Sequence, residues 1–277
     1  MRSGTTSKEL LNELKRSITT DPERAQLMVA SIITDIPDQS LELLRRAAKG
    51  SQKRLDGLIG ALLDRGDTGC DISDCFINDI LGNPSHEARA STIQRLAFHP
   101  SRVRFSNALR RIASDRSDRD WSWAVGTLGA LRDRGAIDVL MDHTTGLSTP
   151  FVLLQALVGL RCPEAALVFE PNLHHPDPRN RTFALWGLAA LEYDVAIGAL
   201  VQLLDHPDRR EQGLFEPGQS WRAAQALADV MGWKYEWGDA QSFAALKKRA
   251  REKYPADFVK KCVLAIGNGR LTLDRPS

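Results

Sequence analysis

The chain has 277 residues, 43% hydrophobic and 26% charged, with a formal net charge of +2. That length can bury a sizeable core, and the mixture is that of an ordinary soluble chain. No run of about 18 apolar residues could span a membrane, the polar stretch Met1 to Thr20 does not look like a secretory signal, and the near-neutral balance is far from that of a dedicated nucleic-acid protein.

Helical spacing starts at the N-terminus. Leu10, Leu11, Leu14 and Ile18 recur at three to four residues behind a capping box of Thr6 and Glu9. Asp21-Pro22-Glu23 reads as a helix start, with a capping carboxylate, a proline at the first turn and an acid facing the positive end of the dipole. Leu27, Met28 and Ile32 continue that helix until Pro37. Leu41, Leu44 and Ala48 form the next face, stopped by Gly50. Ser51 then caps a helix carrying Leu55, Leu58, Ile59 and Leu62, which ends near Gly66. Further breaks fall at Gly82-Asn83-Pro84, His99-Pro100, Gly135, Pro150, Cys162-Pro163, His175-Pro176-Asp177-Pro178, His206-Pro207-Asp208 and Glu216-Pro217-Gly218. The spacing predicts helices of about 10 to 15 residues joined by short connections. No alternating run of β-branched and aromatic residues marks a strand.

One helix pattern repeats. Leu58-Ile59-Gly60-Ala61-Leu62-Leu63-Asp64-Arg65-Gly66 resembles Thr127-Leu128-Gly129-Ala130-Leu131-Arg132-Asp133-Arg134-Gly135. It returns around Leu157, Leu188 and Leu227, and a further copy runs through Ile93 and Leu96. With Ile59, Leu128, Leu157, Leu188 and Leu227 as equivalents, the last three steps are 29, 31 and 39 residues, and the interval before them holds two repeats of about 35. Second helices follow through Val103-Leu109-Ile112, Ile137-Val139-Leu140, Ala165-Leu167-Val168 and Ala196 to Leu204. Glycine and alanine on one helix face allow close approach, and each helix pair leaves an apolar face for the next to cover.

The stretch from His175-Pro176-Asp177-Pro178 to Trp186-Gly187-Leu188 resembles the first helix of short bacterial HEAT-like repeats of the PBS-lyase type. Ala196 to Asp208 is similar to the second helix and the turn into the next repeat. The resemblance is good over residues 120 to 230 and degenerate outside; Pro150 to Cys162 lacks the usual charged first turn. It implies an all-α, right-handed α-solenoid of about five or six helix pairs, forming one domain over residues 1–277. Residues 7–50 would be an N-terminal cap of one helix pair, 51–230 the repeats, and 231–270 a C-terminal cap with a basic helix. The family includes scaffolds, adaptors, chromophore lyases and alkylpurine DNA glycosylases, so it transfers an architecture and not a function.

Three sets of residues stand out from the core pattern. The first is the tryptophans. Trp123 and Trp186 fall on apolar faces and suit core packing, and Trp121 and Trp221 begin helices. Trp233, Tyr235 and Trp237 alternate on a connection, where both packing and partner anchoring fit. The second is basic: Arg102, Arg104, Arg110, Arg111, Arg116 and Arg119 in the middle, and Lys247, Lys248, Arg249, Arg251, Lys253, Lys260 and Lys261 near the C-terminus. Phosphate contact is one reading; a solvated end face is the other. Trp121, Trp123, Asp118 and Arg119 could imitate the cleft of the family's glycosylases. The third is the four cysteines, Cys70, Cys75, Cys162 and Cys262, which form no CxxC pair and read as reduced, buried thiols.

No Gly-rich phosphate loop, HExxH, G-x-S-x-G or metal-ligand spacing is present, so neither cofactor nor metal is expected. The reading is therefore a non-enzymatic, cytoplasmic, protein-binding repeat protein that engages one partner stoichiometrically, as an adaptor or a toxin-neutralising (immunity) protein. A DNA-binding repeat protein, such as an alkylpurine DNA glycosylase, is the alternative. The partner surface is expected to use Arg104, Asn107, Arg111, Asp142 and Gln202 from second helices, with Trp233, Tyr235 and Trp237 at the C-terminal end.

Overall fold

The computed structural model describes residues 7–63, 71–144, 149–206 and 218–272. These residues form α-helices, short 3₁₀ turns and loops, and no strand occurs among them. The chain divides into two compact units, Met1–Val139 and Leu140–Ser277. Thr6, Asp64, Arg65, Gly66, Cys70, Pro207, Asp208, Glu216 and Pro217, all invoked above, lie outside the described residues, as does the side chain of Arg102.

The first unit contains α1 (Ser7–Thr20), α2 (Pro22–Asp35), α3 (Pro37–Ala48), α4 (Gln52–Leu63), α5 (Asp71–Gly82), α6 (Arg89–Leu96), α7 (Ser106–Ala113) and α8 (Trp121–Leu131). Residues 7–50 are three helices rather than the expected pair. Proline is tolerated at the first helical position, where its missing N–H is no loss, so Pro37 opens α3 as Pro22 opens α2. Asp21 caps α2 by accepting the Arg24 N–H at 3.0 Å, and Ser51 Oγ accepts the Arg54 N–H at 3.3 Å ahead of α4. The buried face of α2 is Ala25, Val29, Ile32 and Ile33, so Leu27, expected on that stripe, is 72% exposed. Val103 also departs from the pattern. It sits in a 3₁₀ turn, Pro100–Phe105, ahead of α7, and is largely exposed.

One ion pair in this unit is almost dry. Arg89, at 3% exposure, donates Nη1 and Nη2 to the two carboxylate oxygens of Asp118 at 2.9 and 2.8 Å, and Nε to the Leu81 carbonyl at 2.9 Å. Asp120, also buried, lies 3.4 Å from Nη1. The guanidinium thus ties α6 to the start of α8.

After α9 (Ile137–Met141), the second unit contains α10 (Phe151–Leu160), α11 (Ala166–Asn172), α12 (Pro178–Ala190), α13 (Asp194–Leu203), α14 (Gln219–Met231), α15 (Ala240–Lys253) and α16 (Ala256–Gly267). Helix α12 packs between α10 and α14, while α11 and α13 lie against α12, and α13 reaches α14 and α16. Glycine permits two of these approaches. A Cβ on Gly187 would stand 2.3 Å from the Phe169 ring of α11, and one on Gly198 would stand 2.4 Å from Cys262 Sγ of α16.

The equivalent positions Ile59, Leu128, Leu157, Leu188 and Leu227 are all fully buried. Four residues after Leu128, Leu157 and Leu188 the backbone turns left-handed, at Arg132 (φ 54°), Arg161 (φ 49°) and Glu192 (φ 67°). Each turn returns an N–H to the leucine carbonyl: Asp133 to Leu128 at 3.2 Å, Arg161 to Leu157 at 3.2 Å, and Tyr193 to Leu188 at 3.0 Å. Helix α14 ends similarly at Gly232 (φ 63°), with the Trp233 N–H on the Ala228 carbonyl at 2.9 Å.

Two stability predictions follow from these local energies. Glu192 is exposed and holds a left-handed conformation that costs a non-glycine residue about 1–2 kcal/mol, so Glu192→Gly should raise stability by up to about 1 kcal/mol after glycine's added unfolded-state entropy. Arg89→Ala should cost about 3–5 kcal/mol by removing the buried guanidinium that Asp118 and Asp120 share. Urea unfolding followed by circular dichroism measures both.

Candidate functional site

The middle basic cluster is mostly engaged within the first unit. Arg104 lies in the 3₁₀ turn, not on a helix, and its guanidinium is held by Asp74 of α5, with Nε 3.1 Å from Oδ2. Arg110 grips Asp133 with two bonds, Nε at 2.8 Å and Nη2 at 2.6 Å, and these bonds raise its pKa. Arg116 lies over the Trp121 ring at 5.8 Å. Arg119 donates to the His86 carbonyl at 2.9 Å and stands 3.6 Å from Asp120. Of the described side chains in this cluster, Arg111 alone has no carboxylate, carbonyl or ring partner.

Arg111 opens onto a groove of about 580 Å³ between the C-terminal half of α5 and the exposed face of α7. Gly82 and Ala108 line it together with Asn78, Asn83, Asn107 and Asp79. Asp79 is paired with Arg45 of α3. Asn83 Oδ1 accepts the Ser85 N–H at 3.0 Å, and Asn107 Oδ1 accepts Arg110 Nη1 at 3.4 Å. Both donors can only give protons, which fixes the amide orientation and leaves each Nδ2 group as a donor. The groove therefore joins two of the expected partner residues, Asn107 and Arg111, while Arg104 is drawn off to Asp74.

The other expected residues belong to the second unit. Asp142 is exposed in the turn after α9. Gln202 lies on α13 at the edge of an apolar groove of about 920 Å³, which α16 lines with Val259, Val263 and Leu264. Beside it Asp205 takes Lys247 at 2.6 Å and Arg251 at 2.5 Å, and these hydrogen bonds hold its carboxyl below the usual carboxylate range. Among the aromatic residues after α14, Trp233 faces α15, with Arg249 over its ring at 4.6 Å and Lys253 at 5.9 Å. Tyr235 and Trp237 pack on Trp221, each at 6.4 Å, and Trp221 packs on Phe243 at 4.9 Å. Trp237 stays 46% exposed. Four of the five cations on α15 thus face Asp205 or Trp233.

The residues that could imitate a glycosylase cleft are occupied in another way. Asp118 is sealed by Arg89, and Trp121 is buried with its Nε1–H on the Ala113 carbonyl at 2.9 Å. Trp123, expected in the core, is 49% exposed on α8. Sequence reasoning also missed a junction across α10, α12 and α14. Trp186 Nε1 and Arg161 Nη2 both donate to Asp229 Oδ2 at 3.0 Å, and Phe183 stacks between Trp186 and Phe151. Its members lie 43 and 68 residues apart, beyond any local spacing signal. Among the described residues, no three His, Cys, Asp or Glu side chains converge to hold a metal, and no helix is long and apolar enough to cross a membrane.

The sequence matches no family model, and no curated protein matches it significantly.

The cysteines differ from the expectation of uniform burial. Cys75 is exposed on α5, whereas Cys162 and Cys262 are buried. Burial, together with the Asp194 carboxylate, pushes the Cys262 thiol up to about 11, so almost no thiolate exists at neutral pH. A maleimide reagent at pH 7 should label Cys75 in the folded protein and reach Cys162 and Cys262 only after denaturation, as read by peptide mass mapping.

Proposed function

We propose that the chain is a right-handed stack of HEAT-like helix pairs that binds another protein stoichiometrically and catalyses no reaction. Adaptor and toxin-neutralising roles both fit this reading. The recurrence of a buried leucine followed by a left-handed helix stop, at steps of 29 and 31 residues, supports the repeat. The observation that carries the binding function is Arg111. It is an exposed arginine without an internal partner among the described residues, beside three asparagines over an open groove, while its neighbours Arg104 and Arg110 are fastened to aspartates. Arginine is among the residues that dominate protein interfaces, and here it is available without first breaking an ion pair.

The same inventory weakens the nucleic-acid alternative. Phosphate binding needs several free cations, and most in both clusters already have internal contacts.

The test is recovery of the full-length protein from its native cell with a protein present in one-to-one amount. Arg111→Glu should weaken that complex about 30-fold or more, the loss of one interfacial anchor, whereas Lys248→Glu on α15 should leave it intact. Indifference of the partner to Arg111→Glu would refute this surface. Salt-sensitive duplex DNA binding with release of alkylated bases would establish the enzymatic alternative.

A further inference from the structure

Resting on the protein-binding reading of the α5–α7 groove, we propose that its occupant is an acidic segment of the partner, lying extended and presenting Asp or Glu side chains at alternate positions. The lining is a set of proton donors. The Oδ1 atoms of Asn83 and Asn107 each already accept one bond while their Nδ2 groups have donors to offer, and Arg111 adds a guanidinium with no acceptor among the described residues. Asn78 supplies a further carboxamide, with no side-chain bond to the described residues. An acceptor-rich ligand satisfies the guanidinium and these amide donors.

Charge points the same way. Asp79 brings one negative charge to the lining, and Arg45 of α3 faces it. Arg110, behind Asn107, is neutralised by Asp133. The uncompensated charge is therefore the positive one on Arg111. A buried or interfacial carboxylate is well matched to an arginine, because the planar fork can bind both oxygens at once.

Spacing selects the extended form. Asn107 and Arg111 are one helical turn apart, about 6 Å along α7, and Asn78 and Gly82 stand in the same relation on α5. Side chains two apart on an extended strand are separated by about 6.6 Å. Alternate residues of such a segment therefore match the successive donors Asn107 and Arg111 along α7, with its main-chain carbonyls left for Asn78 and Asn83. Gly82 carries no side chain, and Arg111 Nη2 lies over it, 3.7 Å from where a Cβ would stand.

The probe is the blocked peptide acetyl-Gly-Glu-Gly-Glu-Gly-amide, titrated into the full-length ¹⁵N-labelled protein while the side-chain NH₂ signals of Asn78, Asn83 and Asn107 are followed by NMR. These three signals should shift together with a Kd of about 1 mM, typical of a short unconstrained ligand. The Gln counterpart should bind at least about 10-fold more weakly, and so should the Glu peptide to Arg111→Gln, a difference of one unit in log Kd. Circular dichroism confirms that the variant is folded. Equal binding of the Gln peptide, indifference to Arg111→Gln, or no shift of the three signals at about 10 mM peptide would overturn the proposal. So would tighter binding of inorganic phosphate at the same signals, which would make this a general anion site. If a co-purified partner depends on Arg111 while the peptide fails, the acidic specificity is wrong and the protein-binding reading stands.

Discussion

Leu128, Leu157 and Leu188 are each fully buried, and each lies four residues before a backbone residue with positive φ. This coupling of a dry side chain to a sharp helix stop is what the rest of the structure depends on. The leucine fills the space between helices; the turn sends the chain back before the next apolar face is exposed. Left-handed φ is unfavourable for Arg132, Arg161 and Glu192, yet it persists because the returning N–H satisfies a carbonyl that the helix end would otherwise leave open. Glycines tune the result where helices press closest, at Gly187 against Phe169 and Gly198 against Cys262.

The charged residues follow a second constraint. A long cation near a helix end finds a local carboxylate or ring more readily than it remains free, and this chain shows that repeatedly. Arg89 is buried against Asp118 and Asp120; Arg110 is clamped by Asp133; Lys247 and Arg251 share Asp205; Arg249 and Lys253 cover Trp233. The surface pairs contribute little to stability one by one, about 0–1 kcal/mol each, but they determine which charges remain available. A basic run in a sequence is therefore a poor measure of basic surface. Arg111 stands out only after its neighbours have been matched with their partners.

Much of the fold was legible in the residues. Helix content, the starts at Pro22 and Ser51, and the leucines at the repeated positions all rest on local physics: apolar periodicity, proline's fixed φ, and side-chain caps on open N–H groups. Asn107 and Arg111 were identifiable as polar residues outside the core pattern. Their spacing of one turn on a single helix is itself a local property.

What only tertiary structure decided is where each side chain finds its partner. Arg104 looked as free as Arg111 in sequence, but Asp74, thirty positions earlier, holds it. Trp123 has the same apolar setting as buried neighbours on α8, yet no helix among the described residues covers it fully. Trp186, Arg161 and Asp229 meet across three helices, and Trp233 turns its ring toward α15. Periodicity specifies that a face is buried and roughly which residues share it. It carries no information on which distant carboxylate will reach a given guanidinium, because that depends on the packing of helices remote in sequence and on which side chains arrive at each junction.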